Sequence, residues 1–231
     1  MVLMSSAGLS KARLARLHDV MAGYIERGEV PGLVALVCRR GETHVEALGT
    51  KTLGGSDPVQ RDTIFRIASM TKPMTAVAAL QLYEQGKLMM DEPLAKYFPK
   101  FADSQVAVMD AKKESIVERV PAVRKITIQD LFRHTSGMSY GGRGTTAVHK
   151  LYPEGSGQAA LAYTGTDFTN HLATLPLHFQ PGSTWDYGFG LDVLGLVVGG
   201  EDEPGDGGHA SANPRWSGST TRAVRSEGTM P

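Results

Sequence analysis

The sequence predicts an α+β protein, with helices and a small antiparallel sheet in separate stretches of the chain. Three observations carry that reading. Leu14, Leu17, Met21 and Tyr24 recur at three- and four-residue spacing, the period of an amphipathic helix. Leu33 to Arg39 is rich in Val and Leu, and Arg40-Gly41 then turns the chain into an alternating stretch from Thr43 to Gly49, which is the pattern of a hairpin. From Ser69 to Val198 most apolar stretches read as helices joined by loops.

The elements follow in order. The first helix runs from Leu9 to about Arg27 and is stopped by Gly28 and Pro31. After the hairpin, Gly54-Gly55-Ser56-Asp57-Pro58 is a loop, and Thr63 to Ile67 is a short apolar run leading to Ser69. A helix is expected from near Ser69 to about Gln85, capped by Gly86. Pro73 is tolerated there because the first turn leaves its backbone donors without intrahelical partners. Leu88 to Phe98 reads as a turn and a short helix, whereas Ala102 to Arg124 mixes charges with valine and shows no clear period. Thr127 is expected to cap a helix through Phe132, which His134-Thr135-Ser136-Gly137 ends. Gly141 to Gly144 opens a flexible stretch, Asp167 to Thr174 suggests another helix, and Pro181-Gly182 turns the chain toward Trp185-Asp186-Tyr187. Asp192 to Val198 is again helical and apolar. About half of residues 201–231 are Gly, Pro, Ser or Thr, so burial there cannot offset ordering entropy and a disordered tail is expected. Residues 1–200 are then one domain and 201–231 a low-complexity appendage.

Composition excludes several functions. Lys and Arg number 24, as do Asp and Glu, and no basic stretch forms a phosphate-binding footprint, so nucleic acid is not an expected partner. The one cysteine, Cys38, cannot pair within the chain; its apolar run predicts a buried core thiol rather than a reactive one. The first residues, Met-Val-Leu-Met-Ser-Ser-Ala-Gly, lack an apolar signal core and no run approaches a membrane span, so the expected location is cytoplasmic and no membrane partner is expected. His-Glu-x-x-His and paired-cysteine spacings are missing, and neither a metal nor a cofactor is expected. The Gly-x-Ser-x-Gly elbow is also missing.

The chemistry-bearing stretch is Ser69-Met70-Thr71-Lys72. A serine and a lysine three apart share one face of a helix. The amine, when neutral, can take the hydroxyl proton and leave an attacking alkoxide. A helix N-terminus favours the negative charge that develops there. Such an arrangement suits an acyl-transferring serine hydrolase without a catalytic histidine. Ser-x-x-Lys is a short pattern, and taken alone it reads more readily as a capping serine with a surface lysine. Its context decides. Phe65-Arg-Ile-Ala-Ser-Met-Thr-Lys-Pro, Leu88-x-x-Asp91-x-Pro93, Ile126-Thr-Ile-x-Asp130-Leu-x-x-His134-Thr-Ser-Gly137 and Pro181-Gly-Ser-Thr-Trp-x-Tyr187-x-x-x-x-Asp192-Val-Leu-Gly195 occur in that order. Over Leu9 to Val198 they resemble the serine β-lactamase-related family of class C β-lactamases, DD-peptidases and carboxylesterases, its esterase branch most of all.

The resemblance implies a β-lactamase/transpeptidase-like fold, a helical domain plus an antiparallel sheet domain, and a small-molecule ester or amide substrate. It also implies an acyl-enzyme on Ser69, with Lys72 as proton partner and Tyr187 as the shuttle to the leaving group. His134 takes a structural role. Where β-lactamases have Tyr-x-Asn this chain has Tyr187-Gly188-Phe189, which favours an esterase over a lactamase. Family members continue into further strands that border the substrate. Here family-like sequence stops near Val198, and Lys51-Thr52-Leu53 and Trp216-Ser217-Gly218 are chance matches to later motifs. An incomplete sheet, marginal stability and weak or no activity are therefore expected, as from a truncated or frameshifted reading frame. The alternative of another class is a non-catalytic fragment or pseudoenzyme acting through binding.

Overall fold

The computed structural model describes residues 8–201, which fall into two compact units, one up to Phe65 and one from Arg66. In the first unit the predicted period yields helix α1 (Lys11–Glu26), which turns Met21 inward and leaves Leu14 and Leu17 half-buried. Tyr24 is exposed, with the Arg27 guanidinium 4.8 Å above its ring. Strands β1 (Gly32–Arg39) and β2 (Glu42–Gly49) pair antiparallel, Leu33 opposite Leu48 and Arg39 opposite Glu42. Arg40 and Gly41 both take left-handed φ, 50° and 79°, the two-residue turn whose twist matches that of paired strands.

Cys38 is exposed, contrary to the expectation of a buried thiol. It sits one pair from the turn, opposite Thr43, on the same side of the strand as the exposed Leu36. Among the described residues the sheet has only two strands. An apolar run therefore did not guarantee a covered face.

The second unit is built on helix α2 (Thr71–Glu84), helix α3 (Ile128–Arg133) and, after helices α4 (Ser156–Ala162) and α5 (Gly165–Thr174), helix α6 (Gly190–Glu201). Helix α6 packs against both α2 and α3. Phe168, Leu172, Phe189, Val193, Leu194 and Leu131 form the centre of its core and are almost fully buried. A 3-10 turn, Ala68–Met70, precedes α2, and Pro73 is the third residue of that helix, inside the first turn where proline costs least.

Helix α3 is short but strongly capped. Thr127 and Asp130 form a reciprocal capping box, and Arg124 adds two hydrogen bonds to Asp130 at 2.6 and 2.8 Å. The Thr135 hydroxyl donates to the same carboxylate at 2.8 Å.

Between Ala102 and Arg124 the chain forms a hairpin, β3 (Gln105–Met109) with β4 (Ile116–Pro121). Two features hid it in the sequence. The register shifts between Val108 and Met109, which breaks the alternation. Its turn is closed by the Asp110 carboxylate, which accepts from the Glu114 amide and the Ser115 hydroxyl, and not by a glycine pair. This hairpin anchors the next region: Ala107 donates to the Leu177 carbonyl, and Leu177 donates to the Gln105 carbonyl.

The stretch after Gly141, expected to be flexible, forms a 3-10 turn, Gly141–Arg143, tied by its amides to the carbonyls of Pro153 and Glu154. Among the described residues no helix is long and apolar enough to cross a membrane. The tail expected to be disordered lies, from residue 202 on, outside the described residues.

Candidate active site

Ser69 lies in the 3-10 turn ahead of α2, exposed, and Lys72 is one turn further along with its side chain 12% exposed. The residue before the serine, Ala68, has φ 45°. A left-handed conformation in a residue with a Cβ is uncommon and costs energy, and it coincides here with the candidate nucleophile.

Lys72 turns toward the start of α6. Its Nζ donates to Tyr140 Oη at 3.1 Å and lies 3.7 Å from Asp192 Oδ2. Tyr140 Oη is itself 2.7 Å from Asp192 Oδ2 and 2.8 Å from Ser156 Oγ. Burial first, and then the Asp192 carboxylate, push the Tyr140 phenol up, so it keeps its proton. A phenol has a single proton to give. Asp192 can only accept, so Tyr140 donates to it, and Lys72 and Ser156 both donate to Tyr140. The network has one consistent direction and holds the amine between a phenol and a carboxylate that is 7% exposed.

Tyr187 closes the other side. Lys72 Nζ lies 5.0 Å from the centre of its ring, and the Arg143 guanidinium 5.3 Å. Its ring lies edge-on to that of Tyr140 at 5.5 Å and against the His134 imidazole at 4.6 Å. His134 occupies the left-handed C-cap of α3, with φ 54°, and its carbonyl accepts from the Asp186 amide while its Nδ1 accepts from the Gly188 amide. Burial, followed by the nearby Lys72 charge, holds this imidazole below its usual range, in keeping with an accepting ring nitrogen. His134 therefore grips the backbone on both sides of Tyr187.

The Tyr-Gly-Phe departure has a packing cause. A Cβ at Gly188 would come within 2.2 Å of the Met138 carbonyl oxygen, so the backbone approaches too closely for any other residue. Phe189 is fully buried, its ring 4.3 Å from that of Tyr140 and 5.1 Å from that of Phe168. The position where an amide would stand in Tyr-x-Asn is thus committed to the core.

The fold places Lys72 Nζ over the Tyr187 ring, while its hydrogen bond goes to Tyr140, and it adds two groups, Tyr140 and Asp192, to which sequence reasoning gave no role. Tyr140 was hidden as a tyrosine three residues past Gly137. Asp192 did leave a signal: it is the sole ionisable residue in the apolar run Gly190 to Val198, where an unpaired carboxylate would be costly.

The family profile described as Beta-lactamase matches residues 17–206. The chain belongs to the beta-lactamase family. It is 33% identical to esterase EstB of Burkholderia gladioli over 80% of this chain and 44% of the esterase. It is 35% identical to lovastatin esterase of Penicillium rubens over 75% of this chain and 43% of that enzyme. Among solved structures, EstCE1, a hydrolase with promiscuous acyltransferase activity, superposes with a TM-score of 0.63 at 26% identity, covering 80% of this chain and 46% of that one. The β-lactamase/transpeptidase-like fold is thus established for a chain that spans less than half the length of the relatives it matches.

Proposed function

We propose that this chain carries the acylating residues of an esterase-type serine hydrolase acting on small-molecule esters or amides. Ser69 Oγ attacks the substrate carbonyl carbon, and its proton passes to the Lys72–Tyr187 pair. Tyr187 then hands a proton to the departing alkoxide oxygen, so the alcohol leaves neutral and the acyl group stays on Ser69. Water attacks the acyl carbon, returns a proton through the same pair, and restores the serine hydroxyl. The observation that carries this reading is the convergence on one amine: Nζ of Lys72, a turn beyond Ser69, lies 5.0 Å from the centre of the Tyr187 ring and 3.1 Å from Tyr140 Oη. The burial of Phe189 favours an ester over a lactam, because no amide is available at that position.

A fluorophosphonate probe followed by peptide mass spectrometry tests the proposal. The adduct is expected on Ser69 and is expected to vanish in Ser69→Ala. Labelling that persists in the variant would refute the nucleophile. A wild-type chain that takes no label would point instead to the non-catalytic reading.

A further inference from the structure

Three side chains behind Tyr187 converge without any part in the proposed reaction. His149 begins the 3-10 turn His149–Leu151 and is 6% exposed. His178 directly follows Leu177, the residue that bridges to β3. Asp186 directly precedes Tyr187. One potential ligand atom from each lies within 4.8 Å of the other two. The imidazoles of His149 and His178 meet edge-on, their centres 4.7 Å apart.

We propose that His149, His178 and Asp186 form a binding site for a divalent transition ion of the Zn²⁺ type, which ties three separate segments together beneath Tyr187. Two imidazole nitrogens and one carboxylate suit zinc or cobalt better than magnesium or calcium, which prefer all-oxygen shells. The spacing fits as well. Zinc–ligand bonds of about 2.0–2.1 Å in a tetrahedron separate the donors by about 3.4 Å. His178 Nδ1 and Asp186 Oδ2 are already 3.5 Å apart, and a His149 nitrogen within 4.8 Å of both completes the set once it closes on the ion.

Supporting groups orient the ligands. His149 Nδ1 is 2.6 Å from the Thr146 hydroxyl, which leaves Nε2 for the ion. The Ser139 hydroxyl donates to Asp186 Oδ2 at 2.8 Å. Gly144 lies against the His149 ring so closely that a Cβ there would be 2.6 Å from it, which fixes the ring from one face. The fourth tetrahedral position is left for water. No sequence motif marks this set, because 28 and 7 residues separate the ligands and only the fold assembles them.

The test is titration of the wild-type chain with Zn²⁺ by calorimetry and with Co²⁺ by visible absorption. One ion per chain is expected, with the intense d–d bands of a low-coordinate cobalt site. His178→Gln is expected to weaken binding about a hundred-fold, and Thr146→Val, which touches no ligand atom of the ion, about ten-fold. His44→Gln removes a half-buried imidazole that pairs with Glu46, outside the proposed set, and is expected to change nothing. Failure of the wild type to bind one ion, or binding that follows His44 and not His178, would overturn the site. Neither result depends on whether Ser69 is acylated.

Discussion

At the level of single residues, the decisive group is Tyr140. Its oxygen receives from Lys72 and Ser156 and gives to Asp192, so it fixes where the amine points. Without that oxygen Lys72 would settle on Asp192, which is only 3.7 Å away, and turn from Ser69 and Tyr187. Tyr140→Phe keeps the ring, its edge contact with Phe189 and its volume. It is expected to slow fluorophosphonate labelling of Ser69 about a hundred-fold, the scale on which a general base contributes. The lost hydroxyl takes part in three hydrogen bonds, and its removal is expected to cost about 2–3 kcal/mol of stability, read from urea unfolding. Labelling at the wild-type rate would show that Tyr140 does not position the amine. A reader of the sequence could not have assigned this role. Tyr140 is 68 residues from Lys72 and 52 from Asp192, and its direction of donation follows from burial, which the letters do not carry.

At the level of elements, the predicted helices were legible where a local rule sufficed. Thr127 announced α3 by its capping chemistry, and Pro73 and Gly86 fell at the ends of α2 where proline and glycine are permitted. The β3–β4 hairpin was not legible, because a bulge and a side-chain-closed turn replaced the usual signals. Cys38 was misread because burial depends on the neighbouring layer and not on the strand's own composition. The α3 cap also yields a stability prediction. Burial alone would push the Asp130 carboxyl up, but Arg124, Thr127 and Thr135 outweigh it and hold the group below the ordinary carboxylate range. A depressed folded value means that the unfolded chain binds the proton first as pH falls. The contribution is therefore complete above about pH 4, and is lost as pH drops through the lowered folded value. Asp130→Ala removes the reciprocal cap and orphans the Thr135 hydroxyl, and is expected to cost about 2 kcal/mol at neutral pH. In urea titrations at successive pH values, the gap between wild type and variant should narrow as the solution is acidified below pH 4. A gap that stays constant would mean that the carboxylate's charge contributes nothing.

At the level of the whole molecule, apolar side chains are exposed in both units, on α2 and on the β1–β2 hairpin. Met70, Met74, Val77, Leu80 and Tyr83 recur every three or four residues along α2 and the turn before it, and all are more than 40% exposed. The opposite side of the same helix buries Ala79 and Leu82. A soluble helix with apolar residues on both sides is a helix awaiting a second neighbour, and apolar strips of this kind mark association surfaces. The β1–β2 hairpin has the same character: among the described residues no third strand joins it, and two-stranded sheets present open edges. The prediction is concentration-dependent self-association, visible as a rising weight-average mass in sedimentation equilibrium. Met74→Lys with Val77→Glu should suppress it. Exposed substitutions change stability by only about 0.5 kcal/mol or less, so the unfolding midpoint should stay near that of the wild type. The two changes together place opposite charges three residues apart on a helix, so they do not repel one another. Self-association that disappears while the fold persists would locate the contact on α2. Association undiminished by the pair would move it to the hairpin, and a wild type that is monomeric at every concentration would show that this surface is tolerated in water as it stands.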